Sequence, residues 1–277
     1  MQYTTSTSHM TLRKSIALLI VMSVLVPLGF AESRDSVLIV QDEMPALKVL
    51  GRFLEDQGKL AITIVDQAHL PEDLSPFGAV IGYIHGGLEE SVEVAIIDYT
   101  KQGGRYIALH HSISSGKANN RYYFDFLGIQ LDHPKQSKHP VKPGQGYGWV
   151  EGEDIVLTLV NLNPGHYITS HRVTWGKAIL YRSSDGPSAE KPYPSIALPD
   201  SEVYMNHKFT DGRQKTVLCG FKFLDKRNNT LFMQDRAVWL KPYGKGNIIY
   251  LMPGHKPSDY ENQSVSQMIL NAIQWTD

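Results

Sequence analysis

Apolar and polar positions along this chain alternate between two periods. Continuous apolar runs at Ser36–Gln41 (SVLIVQ), 61–66, within 76–84 (PFGAVIGYI) and at Arg105–Leu109 predict buried β-strands. Residues 45–57 place Leu47, Leu50, Phe53 and Leu54 at the spacing of an amphipathic helix, with Gly58 as its C-cap. Residues 89–102 predict a second helix, stopped by Gly103 and Gly104. Strand and helix thus alternate, which predicts parallel pairing through right-handed crossovers. The expected fold is α/β and flavodoxin-like: a mostly parallel central sheet, helices on both faces, and long loop insertions.

The second half is less regular. Residues 131–148 are rich in His, Pro, Lys and Gly, and residues 183–199 in Ser and Pro, so both read as surface excursions. Short strands are expected at 155–160 and 178–182, and apolar strands at 215–224 and 247–252. Val265, Met268, Ile269, Ala272, Ile273 and Trp275 mark one broad face of a closing helix over 264–275.

The N-terminus changes the domain picture. Arg13 and Lys14 precede an apolar run, 15–30, that ends at Gly29 and Ala31. This is the pattern of a secretory signal over residues 1–31, cleaved after Ala31; the alternative is an uncleaved membrane anchor, for which the apolar run is short. The expected product, 32–277, is one secreted or periplasmic domain with no stable membrane span after cleavage. Its single cysteine, Cys219, lies in the apolar run TVLCGFKF and reads as a buried small hydrophobe. A formal charge of −1 gives no broad basic face for nucleic acid. A small molecule is the expected partner, and a homo-oligomer stays open.

Candidate chemistry gathers where strands end. In GGRYIALHHSISSG, His110 and His111 follow an apolar strand at the edge where open α/β sheets bind ligands. His85 (YIHGG) and His255 (MPGHKP) also sit beside turn glycines, and the sheet order read here would bring all three turns to one rim. Imidazoles serve as general acids and bases near neutral pH and bind zinc and other divalent metals. In DSEVYMNHKF, a two-residue period puts Glu202, Tyr204 and Asn206 on one face of a strand and His207 on the other. A carboxylate beside a phenol can bind a sugar hydroxyl, position a base or ligate a metal; the alternative is a polar edge strand facing water. The sequence holds no HExxH, GxSxG, P-loop or GxGxxG motif.

Three segments in this order, GGRYIALHHS, SEVYMN and GKGNIIYLMPGH followed by LNAIQW, resemble the ThuA-like (trehalose utilisation) family over nearly all of 36–275. Gly165-His166-Tyr167-Ile168-Thr169 stands where that family reads His-Pro-[Ile/Val]-Thr, and Ser201-Glu202-Val203-Tyr204 where it reads Asp-Glu-x-Tyr. The resemblance implies the class I glutamine-amidotransferase-like superfamily and a role in sugar metabolism, including keto-sugar derivatives of disaccharides. His110 and His111 occupy the place of the amidotransferase cysteine, which argues against glutaminase chemistry. The expected activity is that of a sugar-modifying hydrolase, lyase or isomerase. His110, His111, Glu202 and His255 are the catalytic candidates, and also the candidate ligands of a divalent metal such as zinc. Tyr204, His85 and Asn206 are the candidate substrate contacts. The alternative is a non-catalytic carbohydrate-binding or interaction module using Tyr147, Trp149, Tyr167 and Trp175.

Overall fold

The computed structural model describes residues 1–4, 35–132, 146–186, 188–212 and 215–276. From residue 5 on, the expected signal segment lies outside the described residues, as does 133–145 of the 131–148 excursion. Among the described residues there are fourteen strands: β1 (Ser36–Gln41), β2 (Ala61–Val65), β3 (Ala79–Tyr83), β4 (Arg105–Leu109), β5 (Ile129–Gln130), β6 (Gly148–Glu151), β7 (Val156–Asn161), β8 (Ala178–Tyr181), β9 (Lys191–Pro199), β10 (Glu202–Met205), β11 (Lys208–Phe209), β12 (Thr216–Asp225), β13 (Thr230–Tyr243) and β14 (Gly246–Leu251). The α-helices are α1 (Pro45–Gly58), α2 (Glu90–Gln102), α3 (Tyr123–Leu127), α4 (Tyr167–Ser170), α5 (Pro257–Glu261) and α6 (Gln263–Gln274).

Ten strands make one sheet in the order β2-β1-β3-β4-β14-β13-β12-β7-β9-β8. The block β2-β1-β3-β4-β14 is parallel. Beyond β14 every pairing is antiparallel. Apart from the edge strand β2, the parallel strands are apolar on both faces because helices cover both. Val37–Val40 of β1, Ala79–Ile81 of β3 and Tyr106–Leu109 of β4 are fully or almost fully buried. Helices α1, α5 and α6 pack together as one layer, and α2 packs with α3. Among the described residues no helix is long and apolar enough to cross a membrane.

Several local expectations are corrected. Gly58 is the last residue of α1, and Lys59 takes the left-handed conformation that ends it (φ 55°). A Cβ at 58 would come within 2.6 Å of a terminal methyl of Leu270, so the glycine lets α1 and α6 approach closely. The stretch 183–199 is not wholly a surface excursion, since Lys191–Pro199 is strand β9, inside the sheet between β7 and β8. Pro192 and Pro194 are tolerated because that part of β9 pairs only with edge strand β8, while β7 pairs from Ser195 onward. Strand β13 was not anticipated: Gln234, Asp235, Arg236 and Lys241 interrupt its apolar pattern.

Candidate functional site

The parallel block fixes the site. Strands β1, β3, β4 and β14 run the same way, so the turns after each leave one edge of the sheet. Those turns carry Glu43, His85, His110–His111 and His255. Each is held by its own polar anchor. Asp42 accepts from the backbone N–H groups of His85 and Gly86 at 2.8–2.9 Å. The buried Asp259 carboxylate accepts from the N–H groups of Gly254 and His255 and from the Ser201 hydroxyl, each at 2.9 Å. The fully buried Lys117 ammonium donates to the carbonyls of Ile84, Gly86 and His111 and to the Ser114 hydroxyl, which ties the β3 and β4 turns together. Burial pulls Lys117 down to about 7, against the pull of Asp42.

Glu202 comes from elsewhere. Strand β10 pairs antiparallel with β6 as a separate two-stranded ribbon, with Glu202 opposite Glu151 and Tyr204 opposite Trp149. All four β10 residues are buried, so this is not a strand facing water. The strand ends at Met205, because Asn206 has φ 63°. Asn206 therefore leaves the Glu202–Tyr204 face; its amide donates to the Gly146 carbonyl and accepts from Gln234. His207 is buried and neither ring nitrogen has a hydrogen-bond partner among the described residues.

The inner nitrogens of three histidines converge on one oxygen of Glu202. His110 Nε2 is 2.8 Å from Oε2, His255 Nδ1 3.3 Å and His111 Nε2 3.6 Å. The outer nitrogens also face acceptors: His110 Nδ1 donates to the Met252 carbonyl at 2.6 Å, His111 Nδ1 lies 3.4 Å from Glu43, and His255 Nε2 lies 3.5 Å from Glu151. His110 is fully buried and held at φ 39°, a left-handed conformation that histidine adopts at a cost of about 1 kcal/mol or more. Its ring contacts with the Met252 carbonyl and the Glu202 carboxylate hold it there.

The charges follow from this packing. Burial opposes ionisation of Glu202, but the three imidazoles outweigh it and hold the carboxyl far below its usual range. Burial likewise disfavours a charged His255, yet contact with Glu202 and the fields of Glu151 and Asp259 raise it above an ordinary histidine. His111 goes the other way, lowered to about 4 chiefly by burial. Tyr204 is pushed up by burial and by Glu202, so it stays a phenol.

A cavity of about 400 Å³ opens onto this cluster, within the range of small-molecule sites. His111, Glu202 and His255 form its floor, and His85, Tyr204 and Trp149 its walls. His85 stacks on His111 at 4.5 Å, and Tyr147 stacks on Tyr204 at 6.1 Å. Trp149 keeps 43% of its surface exposed. The structure thus gathers six of the seven candidates and sets Asn206 apart. Of the aromatic alternatives, Tyr147 and Trp149 line the cavity; Tyr167 stacks on His171, and the Trp175 indole donates to the Thr169 carbonyl. His166 caps α4, accepting from the Ile168 N–H. Glu43, Glu151, Asp259 and Lys117 carried no sequence signal: each is a lone charge in a loop, turn or short strand, and only the folded edge gives it a role. Cys219 is fully buried in β12, and burial pushes its thiol up, which makes it inert.

The ThuA family model, described as trehalose utilisation, matches residues 36–276. Among solved structures, a ThuA-like protein from Bacteroides uniformis ATCC 8492 superposes with a TM-score of 0.52 at 17% identity, over 90% of this chain and 94% of that one. Agd3, a carbohydrate deacetylase, superposes at 0.51 and 12% identity over 85% of this chain, which spans 32% of that longer protein. A glutamine amidotransferase from Thermotoga maritima matches at 0.43 and 8% identity, over 87% of this chain and 97% of that one. At these identities the first two likenesses, with TM-scores above 0.5, establish the fold. No curated protein matches the sequence.

Proposed function

Because the chain belongs to the ThuA (trehalose utilisation) family, we propose that it is an enzyme that acts on a carbohydrate at the cluster formed by His110, His111, Glu202 and His255. The observation that carries this reading is the convergence of three imidazole nitrogens on one buried carboxylate oxygen at the floor of a cavity of ligand size. Imidazoles gathered in this way act as an electrophile: they polarise a sugar carbonyl or hydroxyl oxygen that reaches them from the cavity. Polarisation makes the neighbouring C–H and O–H groups more acidic, which suits isomerisation or elimination beside a keto group. The Tyr204 phenol and His85, both in the cavity lining, would hydrogen-bond the ring hydroxyls, and the Glu43 and Glu151 carboxylates would take a proton. The basic, apolar and small-residue pattern of 13–31 supports a secreted or periplasmic setting.

The test is turnover of disaccharides and their keto derivatives, followed by NMR of product, with sugar binding measured in parallel. Glu202→Gln is expected to lower kcat at least about 100-fold while sugar still binds. Unchanged turnover in Glu202→Gln and His255→Ala would sink the site. Exposure of Trp149 at the cavity wall favours a second reading, a binding module in which the indole stacks on a sugar ring. In that case Trp149→Ala abolishes binding and no sugar is turned over by any form of the protein.

A further inference from the structure

The cluster poses an electrostatic problem. His110 Nδ1 is committed to the Met252 carbonyl, yet Nε2 of the same ring sits 2.8 Å from a carboxylate oxygen. A neutral imidazole has one N–H and can satisfy only one of these acceptors. Its neighbours repeat the pattern, since the outer nitrogens of His111 and His255 are turned toward Glu43 and Glu151. A ring that places its N–H outward presents a bare lone pair inward. Three inward lone pairs would then converge on an anionic oxygen with nothing cationic between them. Two of these buried ring nitrogens, His111 Nδ1 and His255 Nδ1, also make no hydrogen bond among the described residues.

We infer that these four side chains bind one divalent metal ion of the zinc class through His110 Nε2, His111 Nε2, His255 Nδ1 and Glu202 Oε2. The four donors lie within 4.8 Å of one another. Bonds of about 2.1 Å to a tetrahedral ion would set its ligands about 3.4 Å apart, and the separations from Oε2 run from 2.8 to 3.6 Å. Imidazole and carboxylate donors suit zinc and its transition-metal neighbours. The His110 Nδ1–Met252 hydrogen bond is the one expected of a metal-bound histidine, in which a carbonyl fixes the second nitrogen and so the tautomer, and Glu43 and Glu151 stand 3.4 and 3.5 Å from the other two outer nitrogens. The cavity meets the His111–Glu202–His255 side of the set, while His110 is buried behind it. With four protein donors in place, a fifth ligand, water or a sugar oxygen, would have to enter from the cavity side as the ion expands its coordination. This deepens the proposed function by giving the electrophile a chemical identity, but the site stands on its own geometry.

The experiment is metal analysis of the purified protein, stripped with chelator and reloaded with zinc or cobalt(II). One equivalent per chain is expected, with a four- or five-coordinate cobalt spectrum. Glu202→Gln and His255→Ala should bind at least about 100-fold more weakly. Glu43→Gln and Glu151→Gln should keep one equivalent and weaken binding by about 10–100-fold. His85→Ala should leave the affinity within about 10-fold of the parent. His255 is partly exposed on a turn, so its variant tests the site without opening the core. No rebinding by the folded parent overturns the inference. So does loss of metal in His85→Ala with retention in Glu202→Gln, which would move the ion to Glu43, His85 and His111. Metal content is read without any sugar, so failure of the carbohydrate reading leaves this result standing, and a metal-free protein that turns over sugar overturns only this one.

Discussion

At the scale of single residues, the most consequential side chains beside the site are those that hold its backbone. Lys117 has no exposed surface and fills the gap between the turns after β3 and β4, where it satisfies three carbonyls and a hydroxyl. A methionine there keeps the volume and strands those oxygens in a dry interior. Lys117→Met is expected to cost about 3 kcal/mol in urea unfolding, the range for buried acceptors left unpaired; a loss under about 0.5 kcal/mol would show that the turns hold without it. Gly254 has a similar backbone role after β14. Its φ of 138° is open to glycine, and a Cβ would meet the Tyr260 hydroxyl at 2.1 Å. The histidines were legible in the sequence because a polar residue following an apolar run marks a strand end. Their anchors were not, since nothing in the order of residues says that Asp42 meets His85 or that Asp259 meets His255.

At the scale of elements, legibility tracked burial. Strands buried on both faces, β1, β3 and β4, announce themselves as unbroken apolar runs. Strand β9 hides behind its prolines and β13 behind polar residues such as Asp235, whose carboxylate accepts from the Tyr181 and Ser183 hydroxyls. The ribbon β6–β10 joins two short segments far apart in the chain, so no local pattern pairs Glu202 with Glu151 across it. Helix α6 closes the layer formed with α1 and α5, and it starts at Asn262, whose side chain accepts from the N–H groups of Ser264 and Val265 at 3.1 and 3.4 Å. Asn262→Ala removes that cap and is expected to lower stability by about 1 kcal/mol, read as a shift in urea midpoint with unchanged slope.

At the scale of the whole molecule, acid should loosen the fold through His207. The ring is buried among Phe209 and Tyr250, beside the positive Arg236 and Lys215, and burial holds its protonation well below that of an ordinary histidine. The folded protein refuses a proton that the unfolded chain accepts near about pH 6.5. Stability from this ring is thus complete above about pH 6.5 and is lost as pH falls, by about 1.4 kcal/mol per pH unit. Replacing the ring by an aromatic that cannot ionise, His207→Phe, is expected to widen the stability difference in the variant's favour between about pH 7.5 and about pH 5.5. Equal acid sensitivity in the two proteins would exonerate His207.

The distances along the chain that the cluster spans have a kinetic consequence. His110 is joined to Glu202 across 92 residues and to Met252 across 142. Contacts of such separation close late, because the loops between them must be ordered first. In refolding, helical and sheet signals are expected to recover before the cluster does, and the capacity to capture a ligand would arrive last. The centre is then a reporter of completed folding: a chain that has gained its layers but not docked its β6–β10 ribbon would look structured and be chemically silent.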